Sequence, residues 1–239
     1  MLNINVDLAG NLERVRDEIA AAAMHAGRRP DEVTLVGVSK TQPAALVAQA
    51  VRAGLRHVGE NRVQEATDKI ATVRQLLIGS ELPVFHMVGH LQTNKCGAAI
   101  GLFDRIDSVD SLKLAQALSR RLNGASELPV LVEVYVGDDS DRPGVRPEVL
   151  ADVVGQLVEV PNLRIEGLMT VAPLGGTVPR AAFAHVRELK ETLSHMFPAV
   201  HFGVLSMGMS DDYREAILEG STEVRIGTAL FGSRQHSRF

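Results

Sequence analysis

The sequence predicts an α/β fold, a closed barrel of eight parallel strands preceded by one extra N-terminal helix. Short apolar runs alternate with amphipathic segments along the chain, and eight such runs can be counted. Strict alternation of this kind implies right-handed crossovers and a parallel sheet. Eight units in roughly 200 residues fit the small end of the (β/α)8, or TIM, barrel range. An open doubly wound sheet is the alternative. His86, Glu133 and Glu166 favour the barrel, because these polar residues lie among apolar neighbours and a barrel interior accommodates them.

The chain opens on an amphipathic segment. Leu8, Leu12, Val15 and Ile19 recur at helical spacing with charged residues between them, which predicts a helix of about five turns. The stretch AGRRPDE then ends this helix, since it contains a glycine and a proline.

Eight runs rich in aliphatic and β-branched residues follow the first helix. They predict strands at 33–39, 57–61, 84–89, 103–109, 129–136, 163–171, 201–208 and 223–227. Most of the segments between them repeat apolar residues three or four apart and are therefore predicted to be helices. No linker, low-complexity tract or long charge run divides the chain, so residues 1–239 are expected to form a single domain.

Composition excludes several classes of protein. The chain has 25 basic and 29 acidic residues, a net charge of −4, so it lacks the basic surface that nucleic-acid binding needs. No apolar run approaches the ~20 residues that span a bilayer, and the acidic N-terminal segment is not a signal peptide. A single cysteine, Cys96, excludes an intramolecular disulfide. We expect a cytoplasmic protein, and a monomer, because the barrel is complete in itself.

Polar residues at the ends of the predicted strands would meet on one face of the barrel. Lys40 follows the first strand, Ser206 ends the seventh, and Gly227 and Thr228 follow the eighth. Hydroxyl groups, glycines that allow close backbone approach and helix N-termini all favour an anion. In such barrels the loops after strands seven and eight frequently hold a phosphate. Ser210, in contrast, is expected only to cap the helix that follows it.

A phosphate site opposite a lysine suggests pyridoxal 5'-phosphate (PLP), whose aldehyde forms a Schiff base with a lysine. Lys40 would be that lysine. Arg225, at the end of the eighth strand, would face the pyridine nitrogen of the cofactor or form an ion pair at the barrel rim, and the spacing does not choose between these roles.

Six stretches in consistent order carry a resemblance to a known family. They are VGVSKTQP, GENRVQEA, FHMVGHLQTNK, EGLMTVAP, LSMGMSDDYREAI and GSTEVRIGTALFG. The chain resembles the pyridoxal phosphate homeostasis protein family, which is related to the N-terminal barrel domain of alanine racemase. The resemblance implies the alanine racemase N-terminal domain-like fold and PLP as the cofactor. It also implies the site residues, namely Lys40 as the aldimine lysine, Ser206, Gly227 and Thr228 at the phosphate, Arg225 at the pyridine nitrogen, and Asn61 and His86 lining the pocket.

The function that the resemblance implies is PLP binding and vitamin B6 homeostasis, with PLP-dependent apo-enzymes as possible recipients. Catalysis is not expected, because an arginine at the ring nitrogen donates no proton and makes the ring a poor electron sink. Neither Tyr135 nor Tyr213 is an evident second acid or base. One alternative is a one-domain PLP-dependent racemase or lyase that acts on amino acids. Another is a barrel that binds a different phosphorylated metabolite.

Overall fold

The eight strands form a closed parallel barrel in sequence order. The computed structural model describes residues 6–232 apart from 123, 125–126, 138, 140 and 173–178. The strands are β1 Thr34–Val38, β2 His57–Glu60, β3 Val84–Met87, β4 Arg105–Val109, β5 Leu128–Glu133, β6 Leu163–Met169, β7 Val204–Ser206 and β8 Glu223–Ile226. β1 pairs with β8 from Thr34 opposite Glu223 to Gly37 opposite Ile226, and this pairing closes the barrel. The predicted barrel is therefore confirmed, and the open sheet is excluded.

Helices cover the outside of the barrel. In the described part of the chain they are α1 Leu8–His25, α2 Ala44–Arg52, α3 Val63–Leu76, α4 Cys96–Ile100, α5 Leu112–Ser119, α6 Leu150–Val158, α7 Pro179–Met196, α8 Tyr213–Leu218 and α9 Thr228–Phe231. Short 3-10 helices lie at Pro30–Glu32, Thr93–Lys95 and Pro147–Val149. None of the helices described here is both long enough and apolar enough to cross a membrane.

The extra N-terminal helix α1 forms as predicted and packs against α8 and α9. Its buried side chains include Leu8, Leu12, Val15 and Ile19, the four residues that recur at helical spacing. The Asp7 carboxylate accepts a hydrogen bond from the Gly10 N–H at 2.9 Å and so caps the helix. The apolar stripe of α1 therefore becomes the face that packs against α8 and α9.

All eight strands are shorter than the ranges predicted from the sequence, and β7 and β5 show why. β7 has three residues where 201–208 was expected. Gly203 donates its N–H to the His201 carbonyl at 2.9 Å, and this turn delays the start of the strand. After the strand, Gly208 has a φ of +98°, which ends the extended conformation. β5 ends at Glu133, and Val134 forms only an isolated bridge with Val145.

The barrel interior contains a buried layer of charged residues below the C-terminal end. The Arg105 guanidinium donates to both Asp107 oxygens, at 2.7 and 3.1 Å, and also to Glu223. Burial alone would raise the pKa of Asp107, but His86 and Arg105 overcome it and hold that pKa below its usual range. Arg105 therefore bridges two buried carboxylates inside the barrel, while the apolar core lies between the sheet and the helices.

Candidate cofactor site

A pocket of about 220 Å³ lies at the C-terminal end of the barrel. It is bordered by the ends of β1, β2 and β8 and by the loop after β7. Five of the seven residues predicted for the site line this pocket, namely Lys40, Asn61, Arg225, Gly227 and Thr228. The other two, Ser206 and His86, do not line it. The structure thus brings together residues that are 188 positions apart in sequence, Lys40 and Thr228.

Lys40 lies in a tight turn between β1 and α2. Its side chain is exposed, and no hydrogen bond or ion pair ties its ammonium group to another described residue. The turn is closed by the Gln42 N–H, which donates to the Ser39 carbonyl at 3.0 Å. Thr41 has a φ of +65°, an unusual value for a β-branched residue. The turn places the Lys40 amine at a pocket that Asp211 also lines, and no ion pair joins these two residues.

Arg225 forms the floor of the pocket and is held by neutral acceptors. Its Nη1 atom donates to the Ser206 carbonyl and to the Ser206 hydroxyl, both at 2.8 Å, and its Nη2 atom donates to the Thr170 carbonyl at 2.7 Å. Burial lowers the pKa of Arg225, although nearby carboxylates oppose this effect. The guanidinium forms no ion pair with a carboxylate of the described residues, which argues against the rim ion pair considered from the sequence.

Ser206 is therefore placed differently from the prediction. Its side chain is fully buried, and its hydroxyl accepts a hydrogen bond from Arg225. The residue lies beneath the pocket wall, where it orients the guanidinium. Ser210 occupies the position nearer the ligand space that had been expected for Ser206.

The expectation that Ser210 caps α8 is wrong. The cap position is Asp212, whose carboxylate accepts from the Met209 N–H at 2.6 Å. The Ser210 hydroxyl accepts instead from the Ala229 N–H at 3.4 Å and so joins the β7 loop to the start of α9. Two hydroxyl groups, those of Ser210 and Thr228, line the pocket near this junction.

The side chain of Asn61 has a hydrogen-bond acceptor with no partner among the described residues. Its Oδ1 atom is buried and forms no hydrogen bond. A Cβ on Gly89 would lie 2.4 Å from the Asn61 carbonyl oxygen, so the glycine is needed for this close backbone approach. The pocket therefore contains a primary amine, two hydroxyls, a guanidinium and an unsatisfied amide oxygen, together with the Gln42 amide and the Asp211 carboxylate. This set of groups fits a phosphorylated aldehyde such as PLP, and it is not a set that metals prefer.

His86 lies deeper in the barrel than predicted. Its Nε2 atom is 3.0 Å from His57 Nδ1, and its Nδ1 atom is 3.2 Å from an Asp107 oxygen, so it belongs to the buried charged layer. Val88, two residues later on the same face, does line the pocket. A rise of ~3.3 Å per strand residue places the His86 Cα about 6.6 Å below the Val88 Cα along the strand direction.

Neither tyrosine lines the pocket. The Tyr213 hydroxyl donates to the Glu18 carboxylate of α1, outside the barrel. Burial and this carboxylate raise the pKa of Tyr213 to about 12. Tyr135 packs its ring under the Arg146 guanidinium, 4.6 Å from the ring centre. A tyrosine acid or base is thus missing from the pocket lining in the described part of the chain.

Larger cavities also lie in the described part of the molecule. A cavity of about 410 Å³ lies along α1, and two more are larger still. One, of about 570 Å³, is at the opposite end of the barrel near the starts of β6 and β7, and it contains none of the predicted site residues. The other, also about 570 Å³, adjoins the candidate site, shares Asn61 with it, and is lined by Arg62, His90 and Lys95 among others.

Comparison with known proteins supplies the family. The family model of the alanine racemase N-terminal domain matches residues 10–235. The pyridoxal phosphate homeostasis protein of Escherichia coli is 39% identical over 241 residues, which cover 97% of this chain and 99% of that protein. The chain belongs to the pyridoxal phosphate homeostasis protein family. The resemblance stated from the sequence motifs is confirmed.

Two further relatives are similar along almost their whole length. The pyridoxal phosphate homeostasis protein of Pseudomonas aeruginosa is 42% identical over 232 residues, with 96% of each chain covered. The solved structure of PipY from Synechococcus elongatus with PLP bound has a TM-score of 0.82 and 37% identity, covering 95% of this chain and all of that one. The chain therefore shares the fold of PipY and the extent of both relatives.

Proposed function

We propose that this protein binds PLP in the 220 Å³ pocket, holds it as a Schiff base with Lys40, and takes part in intracellular PLP homeostasis. The observation that carries the proposal is that the Lys40 amine lines the same pocket as Gly227 and the hydroxyls of Ser210 and Thr228. The names of the relatives and the PLP-bound structure of PipY support it.

Six residues of the pocket have a part in this proposal. The Ser210 and Thr228 hydroxyls donate to the phosphate, and Gly227 lets the backbone approach it closely. Arg225 faces the pyridine nitrogen, and Asn61 contributes its free amide oxygen to a donor on the ring. The cofactor supplies an aldehyde for Lys40. The amine nitrogen forms a double bond to the aldehyde carbon, and the aldehyde oxygen leaves as water with the two amine protons.

We propose a carrier rather than an enzyme. An acidic partner at the ring nitrogen would let the ring accept electrons, but arginine stays charged at neutral pH and does not supply that proton. Lys40 also lacks a tyrosine or histidine partner among the described residues that line the pocket. We further propose that residues 1–239 act as a single-domain monomer in the cytoplasm and release PLP to PLP-dependent apo-enzymes. A one-domain racemase or lyase is the competing function.

Absorption spectroscopy tests the cofactor assignment. Wild-type protein mixed with PLP should develop a near-visible Schiff-base band that disappears on borohydride reduction. Lys40→Ala should lose this band, whereas Lys113→Ala, an exposed lysine of α5, should keep it. A borohydride-reducible band of equal intensity in Lys40→Ala would refute the assignment of the lysine.

Deuterium exchange separates the carrier from the enzyme. PLP-loaded protein is incubated with single L-amino acids in deuterated water, and Cα exchange is followed by NMR. A carrier should show exchange no faster than PLP and the amino acid alone. Exchange at a catalytically useful rate that depends on Lys40 would establish the racemase or lyase function instead.

A further inference from the structure

The side chain of Lys69, on α3, makes contacts that the proposed function does not yet use. It is 9% exposed, although lysines are rarely buried without a reason. Its Nζ atom donates to the Ser39 carbonyl at 2.8 Å, to Glu60 Oε1 at 2.8 Å and to Glu65 Oε1 at 2.7 Å. These three acceptors satisfy all three protons of an ammonium group.

These contacts involve both sequence neighbours of Lys40. Ser39 precedes Lys40, and its carbonyl accepts directly from Lys69. Thr41 follows Lys40, and its N–H donates to the same Glu65 oxygen that Lys69 contacts. One ammonium group is thus linked to the residue before Lys40 and, through one carboxylate, to the residue after it.

The backbone held in this way is not one that the local sequence prefers. Thr41 has a φ of +65°, in the left-handed region that β-branched residues avoid. Such a conformation persists only where surrounding contacts enforce it. Within the described residues, the Glu65 carboxylate supplies the hydrogen bond to the Thr41 N–H, and Lys69 fixes that carboxylate in turn.

We propose that Lys69 is a positioning residue that orients the Lys40 turn so that the Lys40 amine meets the cofactor aldehyde. The inference rests on the proposed function, since it assigns Lys69 a role in forming the Lys40 Schiff base. Lys69 itself does not touch the pocket, so its effect must pass through Lys40.

The substitution must avoid a trivial loss of folding. Glu60 is 1% exposed, also accepts from the Ser39 hydroxyl, and burial raises its pKa, so removing Lys69 alone leaves an uncompensated buried carboxyl group. The double variant Lys69→Met with Glu60→Gln removes both charges together. Glu65→Ala is a second variant, because Glu65 is partly exposed and its loss breaks the link to Thr41 without changing the buried pair.

The decisive test compares two ligands. PLP has the aldehyde, while pyridoxine 5'-phosphate has the same ring and phosphate with an alcohol that forms no bond to lysine. Misplacing a reacting group slows its reaction by up to about 100-fold. We expect both variants to weaken PLP binding by about tenfold or more and to change pyridoxine 5'-phosphate binding by less than about twofold. Equal weakening of both ligands would show a general structural role and overturn the proposal.

A Lys40→Ala background provides the matched control. If Lys69 acts through Lys40, the double variant should no longer alter PLP affinity once Lys40 is absent. A loss of PLP affinity that persists in the Lys40→Ala background would overturn the inference. If the wild type forms no Schiff base at all, the proposed function fails on its own result, before any Lys69 variant is measured.

Hydrogen exchange in the cofactor-free protein gives a separate readout. The Thr41 amide should exchange faster in both variants than in the wild type. The Ala53 amide, which donates to the Gln49 carbonyl at 2.9 Å at the end of α2, should be unchanged. Unaltered Thr41 exchange in both variants would contradict the claim that Lys69 and Glu65 hold this turn.

Discussion

Substitution of Ser206 by alanine distinguishes the role predicted from the sequence from the role that the structure indicates. The Ser206 hydroxyl is one of three acceptors for the buried Arg225 guanidinium. A hydrogen bond to a charged group contributes about 1.5–3 kcal/mol, and Ser206→Ala keeps the other two acceptors. We therefore expect the free energy of unfolding of the cofactor-free protein to fall by about 1.5–3 kcal/mol.

The assay is urea denaturation of the cofactor-free protein at pH 7, combined with titration of pyridoxine 5'-phosphate. Thr228→Ala is the matched variant, since its hydroxyl lines the pocket and accepts no hydrogen bond from Arg225. Thr228→Ala should weaken ligand binding while changing stability by less than about 0.5 kcal/mol. Unchanged stability in Ser206→Ala, together with a loss of affinity as large as that of Thr228→Ala, would refute the structural role of Ser206.

Three further predictions concern other parts of the molecule. Burial, reinforced by Asp110, raises the pKa of Glu133 to about 7, so the contribution of Glu133 to the free energy of unfolding should fall as the pH rises from about 4.5 through 7. In urea denaturation at pH 8, Glu133→Gln should be more stable than the wild type by on the order of 3 kcal/mol, whereas at pH 4 it should be no more stable. An equal difference at both pH values would contradict this. Tyr213→Phe removes the hydrogen bond to Glu18 and should cost about 1 kcal/mol in the same assay without altering Cα deuterium exchange; altered exchange would assign Tyr213 a chemical role. In Gly208→Ala, at a φ of +98°, the new Cβ would lie 2.7 Å from the Ala216 Cβ. Thermal denaturation should therefore show a free energy of unfolding lower by about 1–3 kcal/mol. An unchanged melting temperature would count against this packing.

The barrel could be predicted from the sequence because its strands and helices alternate along the whole chain. All eight predicted strands are present, and the apolar residues of α1 are buried as their spacing indicates. Strand ends were less predictable. β7 stops at Ser206 because of the positive φ of Gly208, and a glycine alone does not reveal its dihedral angle from the sequence.

The candidate site was predictable where a residue follows a strand directly. Lys40, Gly227 and Thr228 come just after β1 and β8, and the C-terminal ends of parallel strands meet on one face. Depth within the barrel was not predictable. His86 lies inside β3 and therefore sits in the charged layer below the pocket, and the direction of the Ser206 hydroxyl depends on Arg225, a residue of another strand.

The role of Lys69 could not be predicted, because its spacing in the sequence does not indicate a contact with the Lys40 turn. It follows Glu65 by four residues on α3, a pattern typical of an ordinary surface ion pair. Its contacts with Ser39 and Glu60 depend on how α3 packs against the barrel, and the sequence does not specify that packing.

Borohydride trapping followed by peptide mass spectrometry shows directly whether PLP is bound to Lys40. PLP-loaded protein is reduced and digested, and each lysine-containing peptide is examined for the mass of the reduced cofactor. We expect one stoichiometric label, on the peptide that contains Lys40, and its loss in Lys40→Ala. A stoichiometric label on Lys69, Lys95 or another lysine, or the absence of any label from a protein that binds PLP, would contradict it.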